Sequence, residues 1–262
     1  MRRRTYAARL TAATTAVTAL FAAGCTSDGA GATGAVDTKA GAGTTAAAQP
    51  GKYRTLPEPC GSVAGSTLKD LLPGVTELAE EQQKQLLRGQ PVSTYDTDRR
   101  VGCGWEAKSP DAVHSLSLDF ERVVSYDRAV SDDDRAQQVF EKKQTAAGVP
   151  LESAAGGQAS KPTTTSSGPP ASASGATDAT ALEPRVLGGL GDAAFLDDAV
   201  ATAGAGSNAQ RRTVSVVFRT SNVVVTVVYV AQPGAAAEPP DGKELQEKAQ
   251  SVARDLVDEF GR

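Results

Sequence analysis

Ser66 and Lys69 stand in the order S-x-x-K, the spacing that sets a nucleophilic hydroxyl one helical turn from a basic side chain. Penicillin-recognising enzymes combine that pair with S-D-N and K-T-G elements, and the sequence has neither. Ser66 is therefore read as a helix N-cap and Lys69 as an exposed side chain. Gly189–Ala194, GLGDAA, fits G-x-G-x-x-A, a turn that can lay backbone N–H groups against a pyrophosphate. That turn should follow a strand and open a helix, whereas this one precedes strand-like residues, and Asp192 would face the phosphates with a negative charge. It reads as a tight turn that needs glycine dihedrals. His114 is the only histidine, so any Ser/His/Asp or Cys/His relay must be built on it. No G-x-S-x-G elbow accompanies it. Asp132–Asp134 read as acids at the positive end of a helix, and Asp197–Asp198 as a solvated loop, with no EF-hand pattern around either. From these groups no catalytic residue, metal ligand or cofactor is expected.

The cysteines carry more information. The chain opens with Arg2, Arg3, Arg4 and Arg9, followed by an apolar run from Leu10 to Ala23. A run of about 14 residues is too short to span a bilayer and suits the apolar part of a signal peptide. It ends in AAGC, Ala22 to Cys25, which resembles the lipobox of bacterial lipoproteins. That resemblance implies cleavage after residue 24 and a diacylglyceryl thioether on Cys25. The usual box has Leu where Ala22 stands. Two acyl chains anchor a protein stably where one does not. An ordinary secreted protein cut near Ala23 and an uncleaved N-terminal helix are the competing readings.

An exported chain lies outside the reducing thiol pool, which leaves Cys60 and Cys103 as an even pair. A metal pair or a free nucleophile are the alternatives to a disulfide. A metal would need further ligands, and the chain has one histidine and no third cysteine nearby. A bridge closing a loop of about 44 residues would stabilise the fold by roughly 4 kcal/mol in the chain-entropy model.

These groups need a scaffold. The sequence has 262 residues and a net charge of -4, with 40% hydrophobic but only 5% aromatic residues. Much of the apolar content is alanine in Gly-, Ser- and Thr-rich stretches that bury too little surface to offset the entropy of ordering. Residues 25–51 read as a disordered tether with a reach of roughly 25–30 Å. Residues 152–183 read as a second low-complexity segment inserted in the domain. Loss of residues 1–24 removes four arginines and no acid, leaving 23 basic and 31 acidic side chains and a net charge of -8. The acidic balance argues against a nucleic-acid binder.

Residues 52–262 are expected to form one α+β domain, an antiparallel β-sheet with packed helices. Short helices are predicted near Ser66–Leu72 and Thr76–Arg88, the second closed by Gly89 at a C′ position. Val101–Ala107 reads as a strand. So does Ala112–Val123, where Leu116, Leu118 and Phe120 alternate with Ser117, Asp119 and Glu121. Ser131 is the predicted cap of the next helix. Val223–Val230 is nearly all apolar, as a central strand covered on both faces would be, and Ser221-Asn222 joins it to the strand before. Asp241–Phe260 has Leu245, Ala249, Val252, Leu256 and Phe260 at helical spacing, with Glu244–Lys248 and Arg254–Asp258 as i,i+4 pairs. On a strand Cys103 and Trp105 share a face, so Trp105, the only tryptophan, is placed in the core beside the bridge.

The order of lipobox, tether, PCGSVAGSTLKDLLPG, CGW, GLGDAAF, VVFRTSNVVVTVVYV and terminal helix resembles a family of actinobacterial secreted lipoproteins built on a domain of unknown function. The resemblance covers most of Tyr53 to Gly261 and supports pairing Cys60 with Cys103. It implies a PsbP-like α/β/α sandwich, a cell-envelope location and no established activity. The resulting expectation is a non-catalytic domain on the outer face of the cell membrane, anchored there through Cys25, that binds an envelope protein or small ligand. An extracytoplasmic hydrolase or transferase with an unrecognised site, and a structural envelope protein, are the alternatives.

Overall fold

The computed structural model describes residues 48–151, 183–202, 209–234 and 240–262. The expected signal peptide, Cys25, the tether up to residue 47 and the insertion up to residue 182 lie outside the described residues.

The described residues form a seven-stranded antiparallel sheet in the order β1-β2-β3-β7-β6-β5-β4. Its strands are β1 (Gln90–Val92), β2 (Arg100–Lys108), β3 (Ala112–Arg122), β4 (Arg185–Leu187), β5 (Ala193–Thr202), β6 (Gln210–Thr220) and β7 (Val223–Pro233). Four helices pack on the sheet: α1 (Gly65–Leu71), α2 (Glu80–Leu87), α3 (Asp132–Ala146) and α4 (Gly242–Gly261). This is the α+β class that the strand and helix patterns predict.

Alternation along the strands assigns the faces. Cys103, Trp105, Leu116, Leu118, Phe120, Val214, Val216, Phe218, Val225, Val227 and Tyr229 point to one side, where α1 and α4 close the main core. Phe195, Val217 and Val224 point to the other, where α3 covers them with Ala136 and Phe140. The β7 strand is central, as expected, between β3 and β6. Among the described residues its cover on the second face stops short, because α3 packs over Phe195, Val217 and Val224. Val224 is fully buried there, but Val228 and Val230 are only half-buried.

Several local expectations shift. Helix α1 starts at Gly65 behind Ala64, so Ser66 is an exposed first-turn residue and not the cap. The capping side chain lies upstream, where Glu58 accepts the N–H groups of Cys60 (3.0 Å) and Gly61 (2.7 Å) and closes the 3-10 turn Pro59–Gly61. The stretch after Pro73 forms a second 3-10 turn, Pro73–Glu77, before extended backbone at Leu78 delays α2 to Glu80. Gly89 ends α2 at φ +72, the left-handed C′ geometry. Pro91 sits in β1, an edge strand, where its missing N–H costs no ladder bond. Ser131 caps α3 as predicted, its Oγ accepting the Asp134 N–H at 3.0 Å. Glu244–Lys248 pairs at 2.6 Å; among the described residues Arg254–Asp258 makes no ion pair.

The described residues begin before Tyr53, at Ala48, and the last four residues assigned to the tether pack on the domain. The Ala48 N–H bonds the Arg128 carbonyl at 2.9 Å, and the buried Gly51 donates to Asp132 Oδ2 at 2.9 Å. The anchor for this segment is Asn222, which has no exposed surface. Its Oδ1 accepts the Tyr53 N–H at 2.9 Å, and its Nδ2 donates to the carbonyls of Tyr53 (3.0 Å) and Val123 (3.3 Å). One amide thus pairs with the Tyr53 backbone as a neighbouring strand would, leaving no buried polar group without a partner at that point.

Candidate functional site

The residues singled out for chemistry do not converge. Ser66 and Lys69 are exposed on α1. The GLGD segment is the expected tight turn, with Gly189 at φ +75 and Gly191 at φ +56. Its Asp192 serves the β6–β7 hairpin instead of a phosphate. Asp192 Oδ2 accepts the Ser221 N–H at 2.7 Å and pairs with Arg219 Nη1 at 3.1 Å. Together with the Ser221 Oγ bond to Asp133 Oδ1 at 2.7 Å, this holds Ser221 at φ 49, which a non-glycine residue adopts only under constraint. Asp132 and Asp133 are therefore more than dipole partners of α3, since both tie distant segments to the helix start.

Asp197 and Asp198 do not form a solvated loop. Both lie in β5, on opposite faces of the sheet. Burial, followed by the charge of Asp198, raises the Asp197 carboxyl above its usual value. The Asp198 side chain is fully buried. It accepts Arg212 Nε (2.8 Å), Arg212 Nη2 (3.0 Å) and Gln246 Nε2 (2.6 Å), while Gln246 Oε1 accepts Arg185 Nη2 at 2.8 Å. The pattern D-D followed by A-V-A-T hid this, because no apolar alternation marks the outer half of β5. The network links β4, β5, β6 and α4.

His114 is half-buried on the main-core face of β3, stacked on Tyr229 with ring centroids 6.1 Å apart. Burial lowers its basicity first and the Lys248 charge second, with Glu244 opposing; its Nδ1 has no partner among the described residues. Tyr229 donates to the Leu71 carbonyl at 2.6 Å, and burial raises its phenol well above the usual value. His114 is thus harder to protonate in the fold than in the unfolded chain. The unfolded chain takes up the proton first, near its ordinary 6.5, so stability present above that pH is lost as pH falls toward the lower folded value. His114→Leu is expected to flatten the fall of the urea midpoint between about pH 7 and 5. An unchanged pH profile would show that the ring protonates freely in the fold.

A concavity with convergent charge lies elsewhere, at the turn end of the sheet. It has a volume of about 320 Å³ and is lined by Arg54, Arg122 and Arg128 with Tyr126, by residues 48–50 and by others of the β3–α3 connection. Volumes near this are at the small end of ligand sites. The Asn222 clasp brings the Ala48–Arg54 segment across to form one wall. Arg122, the last residue of β3, is oriented by its Nε bond to the Asp98 carbonyl at 2.9 Å. The β3–α3 connection supplies Tyr126 and Arg128. Tyr126 is 84% exposed, and the Arg99 guanidinium lies 4.9 Å from its ring centroid.

Two carboxylates also line the cavity, but the loop uses them. Asp132 takes the N–H groups of Gly51 and of Ser125 (2.7 Å), and Asp127 takes that of Ala129 (2.9 Å). Among the described residues no ion pair involves Arg54, Arg122 or Arg128. Arginines this far apart in sequence share no spacing pattern, so sequence reading had no signal for the cluster.

No family model, curated protein or solved structure matches this chain. Any role for the cavity therefore has to come from its own side chains.

Proposed function

We propose that this protein is exported, anchored by lipid at Cys25 to the outer face of the cell membrane, and acts there as a non-catalytic binding domain. The observation that carries this reading is the disulfide between Cys60 and Cys103, with Cα atoms 5.2 Å apart. Such a bridge suits an oxidising compartment. It agrees with the basic, apolar leader and the small residues before Cys25. A binding role is favoured because the cavity gathers charged side chains while Ser66, His114 and the paired aspartates lie apart, and among the described residues no hydrogen bond joins the Ser66 hydroxyl or His114 Nδ1 to a base or acid.

Cys25→Ser is expected to move the protein from the membrane fraction to the medium, or to leave it unprocessed at its full length. The wild-type chain should resist carbonate extraction and incorporate labelled fatty acid. Equal membrane retention of the variant after a carbonate wash would rule out the anchor. Crosslinking on intact cells would then test the binding role, with recovery of nothing beyond a tether-only control counting against it.

A further inference from the structure

We infer that the arginine-lined cavity is a binding site for a phosphate group, carried either by a small molecule or by a lipid headgroup. The inference deepens the binding role proposed above and does not depend on the anchor at Cys25. Three arginines, Arg54, Arg122 and Arg128, line one concavity, and their guanidinium groups have no ion-pair partner among the described residues. Guanidinium is the side chain suited to oxyanions, since its fixed fork matches two oxygens at once. A carboxylate offers two oxygens and one charge, which one arginine satisfies. A phosphate offers three or more oxygens and up to two charges, and so can engage several guanidinium groups.

The positioning is built into the fold. Arg122 cannot swing freely, because its Nε is fixed on the Asp98 carbonyl, which leaves Nη1 and Nη2 as the donors that can reach a ligand. The acids in the wall, Asp127 and Asp132, already accept backbone N–H groups and hold the loop in shape. Their charge limits the site to modest affinity. Tyr126, steadied by Arg99, adds a flat apolar surface at the rim on which a sugar or glycerol attached to the phosphate can rest. Three arginines against two aspartates give the lining a net charge of +1, opposite in sign to the balance of the whole chain.

The test uses the full chain carrying Cys25→Ser, so that the anchor plays no part. Inorganic phosphate is titrated by calorimetry against acetate at matched ionic strength. In parallel, the chain is sedimented with phosphatidylcholine vesicles with and without phosphatidylglycerol. Saturable phosphate binding, weakened about tenfold or more in Arg54→Ala/Arg128→Ala, is the expected result if the ligand is soluble. Retention only on phosphatidylglycerol vesicles, lost in the same variant, assigns the site to a lipid headgroup. Both outcomes support the inference. Arg135→Ala, on the exposed part of α3 outside the cavity, serves as the control and should bind as the parent does. Arg54 and Arg128 are exposed, so the double variant should keep the parent melting temperature, and Arg122→Gln provides an independent second variant. Binding of neither probe, acetate binding as tightly as phosphate, or equal binding by the arginine variants would overturn the inference. Capture of a partner on cells despite that result would leave the binding role standing and remove only the phosphate site.

Discussion

Arg212→Met is expected to destabilise the domain by about 3–5 kcal/mol, with most of the loss recovered when Asp198→Leu is added. The argument starts from burial. The Asp198 side chain has no exposed surface, and that of Arg212 is 11% exposed. A carboxylate at that depth is tolerable because Arg212 grips it through two N–H groups and Gln246 through a third. Removing the guanidinium alone leaves a buried charge with only the neutral amide as partner. Replacing both charged groups by apolar side chains of similar size removes the desolvation cost as well as the attraction, and such exchanges are often near neutral. Urea denaturation of the two single variants and the double variant measures this as a coupling. Additive effects would show that the pair is hydrated and contributes little.

A second measurement isolates the geometry. Gly242 begins α4 directly against Arg212, and a Cβ at that position would run into the Arg212 guanidinium. A free guanidinium could move aside, but this one is held by Asp198. Gly242→Ala should therefore destabilise the parent yet be neutral or mildly stabilising in the Arg212→Met background, where alanine also lowers the entropy lost in forming the helix.

This network shows where sequence reading loses its grip. The main sheet was legible because the information is local: Leu116, Leu118 and Phe120 alternate with polar residues, and the valines of β7 form a run that only a central strand can bury. The terminal helix was legible for the same reason, since its five apolar positions repeat at 3.6 residues and all are buried. The cysteine pair was legible through counting and compartment. Asp198 was not, because what makes it a strand residue is Arg212 across the β5–β6 ladder and Gln246 on α4, far along the chain. The cavity escaped for a related reason. Its walls come from the N-terminal segment, the end of β3 and the β3–α3 connection, which Asn222 and Asp132 pull together. Tertiary hydrogen bonds of this kind leave no period in the sequence. Ser66 illustrates the opposite error, in which a residue with the right local preference for a cap is displaced because the disulfide-held turn before it sets where the helix can start.

Trp105→Ala is expected to cost about 3–5 kcal/mol, the range for deleting a large aromatic ring from a core. Trp105 is 3% exposed on the same face of β2 as Cys103, which is fully buried. Its Nε1 donates to the Leu87 carbonyl at 3.3 Å, so the ring also closes the end of α2. The chain passes from α2 to β1 through Gly89, and a Cβ there would collide with Cys103 Sγ and crowd Trp105 Nε1, 2.7 Å away. Bridge, indole and backbone thus meet at one point, with a positive φ that favours glycine in any case. Trp105→Phe separates the contributions. It keeps most of the apolar area but leaves the Leu87 carbonyl without its donor, for an expected loss of about 1–3 kcal/mol. Because Trp105 is the only tryptophan, fluorescence follows unfolding of the parent and circular dichroism must follow the variants. Cys60→Ser/Cys103→Ser should remove up to about 4 kcal/mol by releasing the loop in the unfolded state. Adding Trp105→Ala to that variant should cost less than it does in the parent, since a turn no longer tied to β2 can relax into the cavity. A parent-like urea midpoint for Trp105→Ala would place the ring outside the core.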